Sequence, residues 1–344
     1  MTTRRVLPEW TPQWGVMLAW PDAQTDWCDH LDAARACYID LMRALLDHEH
    51  VLLLCRNSIE RHAALTLLAA SNVTTQRLRI ELIDYNDTWA RDYGPIAVKH
   101  GDDVQLLDYT FTGWGGKFDA NKDNAVNQQI DWQVPLIAQS LILEGGAIDT
   151  DGNGVLITTG QCLNNPNRNP ALNQDELTAR LMEQLGVNTI GWFKHGELEG
   201  DDTDAHVDTL IRFVDASTLV YQGCDDPNDS HYNDLSAMSE EVHHFAAQHG
   251  LTAHALPWPQ AQYAADGHRL PATYANFLIT NDKIVLPLYG CSSDQRAIEV
   301  FQTLAGRRQV VGIDCRVLIE QHGSLHCITM QLPEGVLPPL VKEA

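Results

Sequence analysis

Short apolar, β-branched runs recur from one end of this 344-residue chain to the other and alternate with helical patterns. Val51–Cys55, Ile96–Lys99, Val104–Tyr109, Gly154–Thr158, Thr218–Gln222, Lys283–Pro287 and Gln309–Gly312 read as strands, as do Arg79–Tyr85, Ser140–Leu143, Thr209–Phe213, Asn276–Thr280 and Val317–Gln321. Leu31–Asp47, Asn173–Leu185, Asp234–His249 and Ser293–Gly306 read as helices; Ser230 and Asn233 signal the start of the third, and Gly250 its end. The alternation predicts an α/β fold. No Pro/Gly/Ser linker or charge run interrupts it, so a single domain over residues 1–344 is expected. The strand–strand–helix cadence would suit several diverged copies of one α/β unit, although no literal repeat is present.

Composition excludes more than it selects. With 23 Lys+Arg against 46 Asp+Glu, the formal net charge is −23. Nucleic acids and anionic membranes need a basic footprint and are poor partners. A small cation is compatible with such a field, although acidic residues also simply keep a protein soluble. Eight cysteines lie scattered without Cys-x-x-Cys spacing or a zinc-finger pattern. Cys55 and Cys315 sit in apolar runs and are expected in the core. The N-terminal segment lacks an apolar signal region, and no stretch approaches membrane-spanning length, so a reducing cytoplasm is the expected location.

Four stretches carry the chemistry: Asn86–Asp92, Leu143–Gly146, His206–Asp208 and His326–Cys327. Together they supply a thiol, an imidazole and several carboxylates. A cysteine nucleophile has no obvious use for so many carboxylates unless its substrate is a cation. Guanidinium fits, because carboxylates grip its planar N–H donors in pairs. Hydrolysis of a guanidine through a covalent thiol adduct follows.

Each residue also has a plainer reading. Cys327 follows a run read as extended, with His322 and His326 near enough to activate it; a buried structural thiol is the commoner case. His206 and Asp208 stand two apart, which in an extended chain points both to one face. They equally suit a solvated acidic turn, or two ligands of a metal. Asp92, with Asp84 and Asp87, surrounds Arg91 and Trp89, so Trp89 could stack on a planar cation or Arg91 could merely pair with an Asp. Glu144 could orient an imidazole or belong to an ordinary Glu-Gly-Gly turn. Trp114, on the glycine-rich Phe111–Phe118 run, could be a lid or an anchored surface loop.

In combination the motifs resemble a known family. Asn86-Asp-Thr-Trp-Ala-Arg-Asp-Tyr-Gly-Pro95, Leu143-Glu-Gly-Gly146, Cys162-Leu-Asn-Asn-Pro-Asn-Arg-Asn-Pro170, Asp202-Thr-Asp-Ala-His-Val-Asp208, Tyr274-Ala-Asn-Phe277 and His326-Cys-Ile-Thr329 resemble, in order, those of the agmatine deiminase (bacterial peptidyl-arginine deiminase-like) family. The resemblance implies the pentein fold, a five-bladed α/β propeller with a central active site. It implies Cys327 as nucleophile, His206 as general acid/base, Glu144 as the residue orienting it, and Asp92 with Asp208 as the guanidinium clamp. Trp89, Trp114, Asp87 and Asp202 fall where substrate would be lined or its distal amine met. The implied reaction converts agmatine and water to N-carbamoylputrescine and ammonia, toward putrescine and polyamines, with neither metal nor organic cofactor. A homo-oligomer is compatible. The chain departs from the family at His322 and Ala205, where glycines are usual, at Thr209 in place of Asn, and at Met330 in place of Gln. Other guanidines, amidino transfer, a metal-dependent amidohydrolase using His206, Asp208, His322 and His326, and a non-catalytic agmatine-binding protein are the alternatives.

Overall fold

Strand pairing repeats with one grammar around the chain. The structure, a computed structural model, describes residues 4–338 and residue 340. Five sheets each contain a strand paired antiparallel to a second, which pairs parallel to a third. In the first unit these are Ile96–His100, Asp103–Thr110 and Leu136–Ile142; in the second, Ile148–Thr150, Val155–Thr159 and Thr189–Phe193. The third has Ile211–Asp215, Thr218–Gln222 and Thr252–Leu256, and the fourth Leu278–Ile279, Lys283–Leu288 and Gln309–Asp314. The fifth closes the chain on itself: Met330–Pro333 pairs antiparallel with Gln13–Ala19, which pairs parallel with His50–Cys55.

A parallel pair needs a crossover, and helices supply it. Gln174–Leu185, Tyr232–His249, Asp294–Leu304 and Leu31–Leu46 join the second and third strands of the last four units. In the first unit short helical turns between Gly113 and Gln129 do the same work. This is the diverged repeat expected of the α/β cadence, in the number implied by the resemblance.

Local sequence explains the elements. Val51–Cys55 is apolar throughout because it lies between two parallel neighbours, Gln13–Ala19 and Leu78–Leu82, and all five residues are buried. Helix Gln174–Leu185 starts at a capping box between Asn173 and Glu176, stops at Gly186 in a left-handed conformation, and buries Leu177, Leu181 and Leu185 along one stripe. Cys55 and Cys315 are buried as expected.

Two expectations need correction. Val317–Gln321 is not a strand: Arg316–Ile319 forms a helical turn, entered where Asp314 accepts the Arg316 N–H at 3.1 Å. Leu318 and Ile319 are both buried, which breaks the alternation a half-exposed strand requires. The third helix begins at Tyr232, two residues before the expected Asp234, and neither Ser230 nor Asn233 caps it.

Candidate functional site

The segment just ahead of each unit's first strand carries chemistry. Asp92 lies in the turn Ala90–Tyr93 before Ile96, and Glu144 precedes the turn Gly145–Ala147 that leads to Ile148. His206 and Asp208 flank Val207 in the turn before Ile211; Asn276 precedes Leu278, and Cys327 precedes Met330. Five equivalent positions therefore deliver one thiol, one imidazole, one amide and three carboxylates. All are buried.

His206 and Asp208 do not share the extended chain that their spacing suggests: His206 immediately precedes the tight helical turn Val207–Thr209, and Asp208 lies within it. Both still point inward, at 1% and 0% exposure. Gly146 explains how so many groups meet. A Cβ there would fall 2.7 Å from His206 Nδ1, 2.8 Å from Asp92 Oδ1 and 3.2 Å from Asp208 Cγ. Only glycine leaves room for the three to converge.

Cys327 lies at the floor of a cavity of about 310 Å³ whose lining includes Trp89, Asp92, Trp114, Asp202 and His322. Its Sγ is 3.8 Å from Asp208 Oδ2 and 3.3 Å from the Asn276 amide nitrogen. The Asn276 side-chain oxygen Oδ1 accepts the backbone N–H groups of His326, at 2.8 Å, and Cys327, at 3.3 Å. Asp92 accepts from the Gly146 N–H at 3.0 Å and from the Trp114 indole at 2.9 Å. Asp208 Oδ2 accepts from His326 Nδ1 at 2.8 Å, whereas its Oδ1 has no partner. Both ring nitrogens of His206 are likewise unpartnered, Nδ1 lying 3.6 Å from Asp92.

Several side chains depart from their expected settings. Trp114 is not on an open loop: it is buried and bound to Asp92. Arg91 does not pair with a neighbouring Asp but reaches Gln331 Oε1 at 2.5 Å. The Glu144 carboxylate accepts from Arg168 Nε at 3.1 Å and makes no hydrogen bond to His206. His322 bonds the Gly200 carbonyl at 2.7 Å, and His326 sits between Asp208 and Glu9. The four-residue metal set of the amidohydrolase alternative therefore does not converge. Among the described residues, the one group of three or more His, Cys, Asp or Glu whose ligand atoms all lie within 4.8 Å of one another is Glu144, Cys162 and His206.

Electrostatics divides Asp92 from Asp208. Burial, then the neighbouring Asp208, pushes the Asp92 carboxyl well above its ordinary range. Burial pulls Asp208 the same way, but the hydrogen bond and charge of His326 outweigh it and hold that carboxyl low. Burial, then Asp208 and Asp92, push the Cys327 thiol up, and burial pushes His206 down to about 3. The empty site thus holds a thiol, a neutral imidazole and carboxylates short of positive charge. Elsewhere in the pocket wall, Asp87 is raised to about 8 by burial and then Asp26, and Asp123 to about 7 by burial. Asp202 is raised by burial. A cation would relieve each of them.

Sequence reasoning gave no role to Asn276, although its motif was part of the resemblance, and missed Glu9. Glu9 has no local signal: its partners are Arg212, Ile279 and His326.

Residues 5–333 match the Porphyromonas-type peptidyl-arginine deiminase family. The chain belongs to that family. An agmatine deiminase of Stutzerimonas stutzeri is 31% identical, the match covering 94% of each chain. The structure of a substrate-bound C. jejuni agmatine deiminase superposes with a TM-score of 0.90 at 33% identity, over 97% of both chains. A Porphyromonas gingivalis protein proposed to be an arginine deiminase gives the same TM-score, 0.90, at 41% identity, covering 97% of this chain and all of that one. The mixed α/β fold is that of the pentein-fold deiminases. The family match spans Glu9 as well as Cys327, so the N-terminal segment beneath the site lies within it.

Proposed function

We propose that this deiminase-family member hydrolyses a guanidine through a covalent Cys327 adduct, with agmatine as substrate. One observation carries the reading: a thiol 3.8 Å from one member of a carboxylate pair, at the floor of a pocket whose mouth is also acidic. Guanidinium has the planar donors that Asp92 and Asp208 can accept, and it supplies the positive charge the site lacks. The mouth residues Asp26, Asp87, Asp119, Asp123 and Asp202 suit a second cation and oppose a carboxylate. Agmatine carries an ammonium at its far end; free arginine carries an α-carboxylate. The names of the Stutzerimonas and C. jejuni relatives support the same substrate.

In this reading the clamp fixes the guanidinium carbon over the thiol. His206, neutral in the empty site, takes the thiol proton as Cys327 attacks that carbon, then gives it to the nitrogen that leaves as ammonia. Glu144, close by and fixed by Arg168, favours the transient imidazolium. Water then loses a proton to His206 and attacks the thiouronium carbon. Collapse of that adduct expels the thiolate, which recovers its proton, and releases N-carbamoylputrescine. No step is assigned to a metal or organic cofactor.

The whole chain acts as one domain in this proposal. All eight cysteines are unpaired, which suits a reducing cytoplasm. Among the described residues no helix is long and apolar enough to cross a membrane.

The test is ammonia release from agmatine, free arginine and a blocked arginyl peptide, each repeated with Cys327→Ala. Release from agmatine, abolished by the substitution, is expected. Turnover of another guanidine alone would move the substrate, and undiminished release by Cys327→Ala would end the mechanism.

A further inference from the structure

Beneath the pocket a buried chain of charges runs from Asp208 through His326, Glu9 and Arg212 to Asp149. His326 Nδ1 lies 2.8 Å from Asp208 Oδ2, and Nε2 lies 2.8 Å from Glu9 Oε2. Glu9 also accepts from Arg212 Nη2 at 2.6 Å and from the Ile279 N–H at 2.5 Å. Arg212 Nε in turn donates to Asp149 at 2.7 Å. Every one of these side chains except Asp149's is at most 4% exposed.

We propose that His326 is a positioning residue, held doubly protonated between Asp208 and Glu9, whose charge keeps Asp208 ionised and its free oxygen aimed at the guanidinium.

An ionised carboxylate only accepts, so a ring bonded at both nitrogens to two of them must donate from both. The same ring explains why the clamp carboxylates differ. Asp92 has only neutral donors, Trp114 and Gly146, and its carboxyl sits high; Asp208 has His326 and sits low. The bond at Oδ2 leaves Oδ1 as the oxygen without a partner. The groups facing His326 from the packed elements are Asp208, Glu9 with Arg212 behind it, Arg91, whose Nε lies 3.5 Å from the His326 carbonyl, Asn276 and the adjoining Cys327. Glu9 can balance the imidazolium without competing for the substrate, because it bonds Nε2 and does not line the pocket that contains Cys327.

The sign of the effect follows. With Glu9 neutral, no anion faces Nε2, that nitrogen need no longer donate, and Asp208 loses its cationic neighbour. Asp208 then ionises at higher pH. Glu9→Gln keeps the size and one of the two accepting oxygens and removes the charge.

The decisive measurement is nitrogen NMR on protein labelled with 15N-histidine, with the His326 signals assigned by their loss in His326→Asn. Both ring nitrogens of His326 protonated at neutral pH is the expected result, with one losing its proton in Glu9→Gln. A neutral His326 in the wild type overturns the proposal, whatever any variant does. With agmatine, the ascending limb of kcat/KM should move up by about one pH unit in Glu9→Gln, with activity recovered at high pH. An even loss at every pH would mean that Glu9 merely supports the fold, and would also overturn the proposal. The turnover arm rests on the deiminase reading; silence of the wild type on every guanidine would sink that reading and leave the NMR result standing.

Discussion

The Trp114 indole donates to Asp92 Oδ2 at 2.9 Å from a backbone held at φ 54°. A left-handed conformation costs a non-glycine residue about 1–2 kcal/mol, and here it aims a buried aromatic N–H at Asp92, one half of the proposed guanidinium clamp. Asp204, Ala205 and His322 also have positive φ. These strained residues adjoin or line the pocket, as expected where backbone strain serves a site.

Replacing Trp114 with Phe keeps the ring and removes the donor. The lost bond matters most when Asp92 is ionised, which is its state with a guanidinium bound. KM for agmatine should rise on the order of tenfold, with a smaller change in kcat. Steady-state kinetics check this; an unchanged KM would mean that the indole only fills space.

Binding should release a proton. Burial, then the neighbouring Asp208, holds the Asp92 carboxyl well above its ordinary range in the free protein. An arriving guanidinium favours its ionised form. The complex therefore holds fewer protons than the free protein, and affinity should strengthen as pH rises. Calorimetric titration of Cys327→Ala with agmatine, in buffers of different ionisation enthalpy, should show net proton release of about one or more per site, Asp87 adding to Asp92. Proton uptake, or none exchanged, would contradict this assignment.

Gly146→Ala is the sharpest steric test. Its Cβ would meet His206 Nδ1 at 2.7 Å and Asp92 Oδ1 at 2.8 Å, so one of them must move. A displacement of that size in a preorganised site costs about a hundredfold in kcat/KM. The circular dichroism spectrum should stay that of the wild type. Full activity would show that the three groups need not converge for catalysis.

How much of this was legible depended on whether the signal was local. The unbroken apolar run Val51–Cys55 declared a buried strand, and the alternation from end to end declared an α/β chain. Val317–Gln321 misled because a short apolar run suits a strand and a helical turn equally, and the bond from Asp314 decides. Cys327, His206, Asp92 and Asp208 were legible by chemical type and by resemblance, and the structure brings them together. The fixing of Asp92 by Trp114, the hold of Asn276 on the thiol and the bond from Glu9 to His326 were not, because each joins residues brought together only by the fold.

Ala205 and His322, two positions where the resemblance leads one to expect glycine, lie at φ 62° and 68°. That conformation is the physical reason for glycine there, and this chain bears the strain. At His322 it places an imidazole in the pocket wall, bonded to the Gly200 carbonyl at 2.7 Å and stacked on His268 with ring centroids 6.1 Å apart. His322→Gly relieves about 1 kcal/mol of strain and loses a hydrogen bond worth about the same. The melting temperature should therefore change little. Removing the ring widens the mouth beside Asp202, so a bulkier guanidine gains while agmatine does not. The ratio of kcat/KM for a blocked arginyl peptide to that for agmatine should rise about tenfold, the scale at which pocket size discriminates. Competition between the two substrates measures that ratio directly, and an unaltered ratio would show that His322 shapes the loop without selecting the substrate.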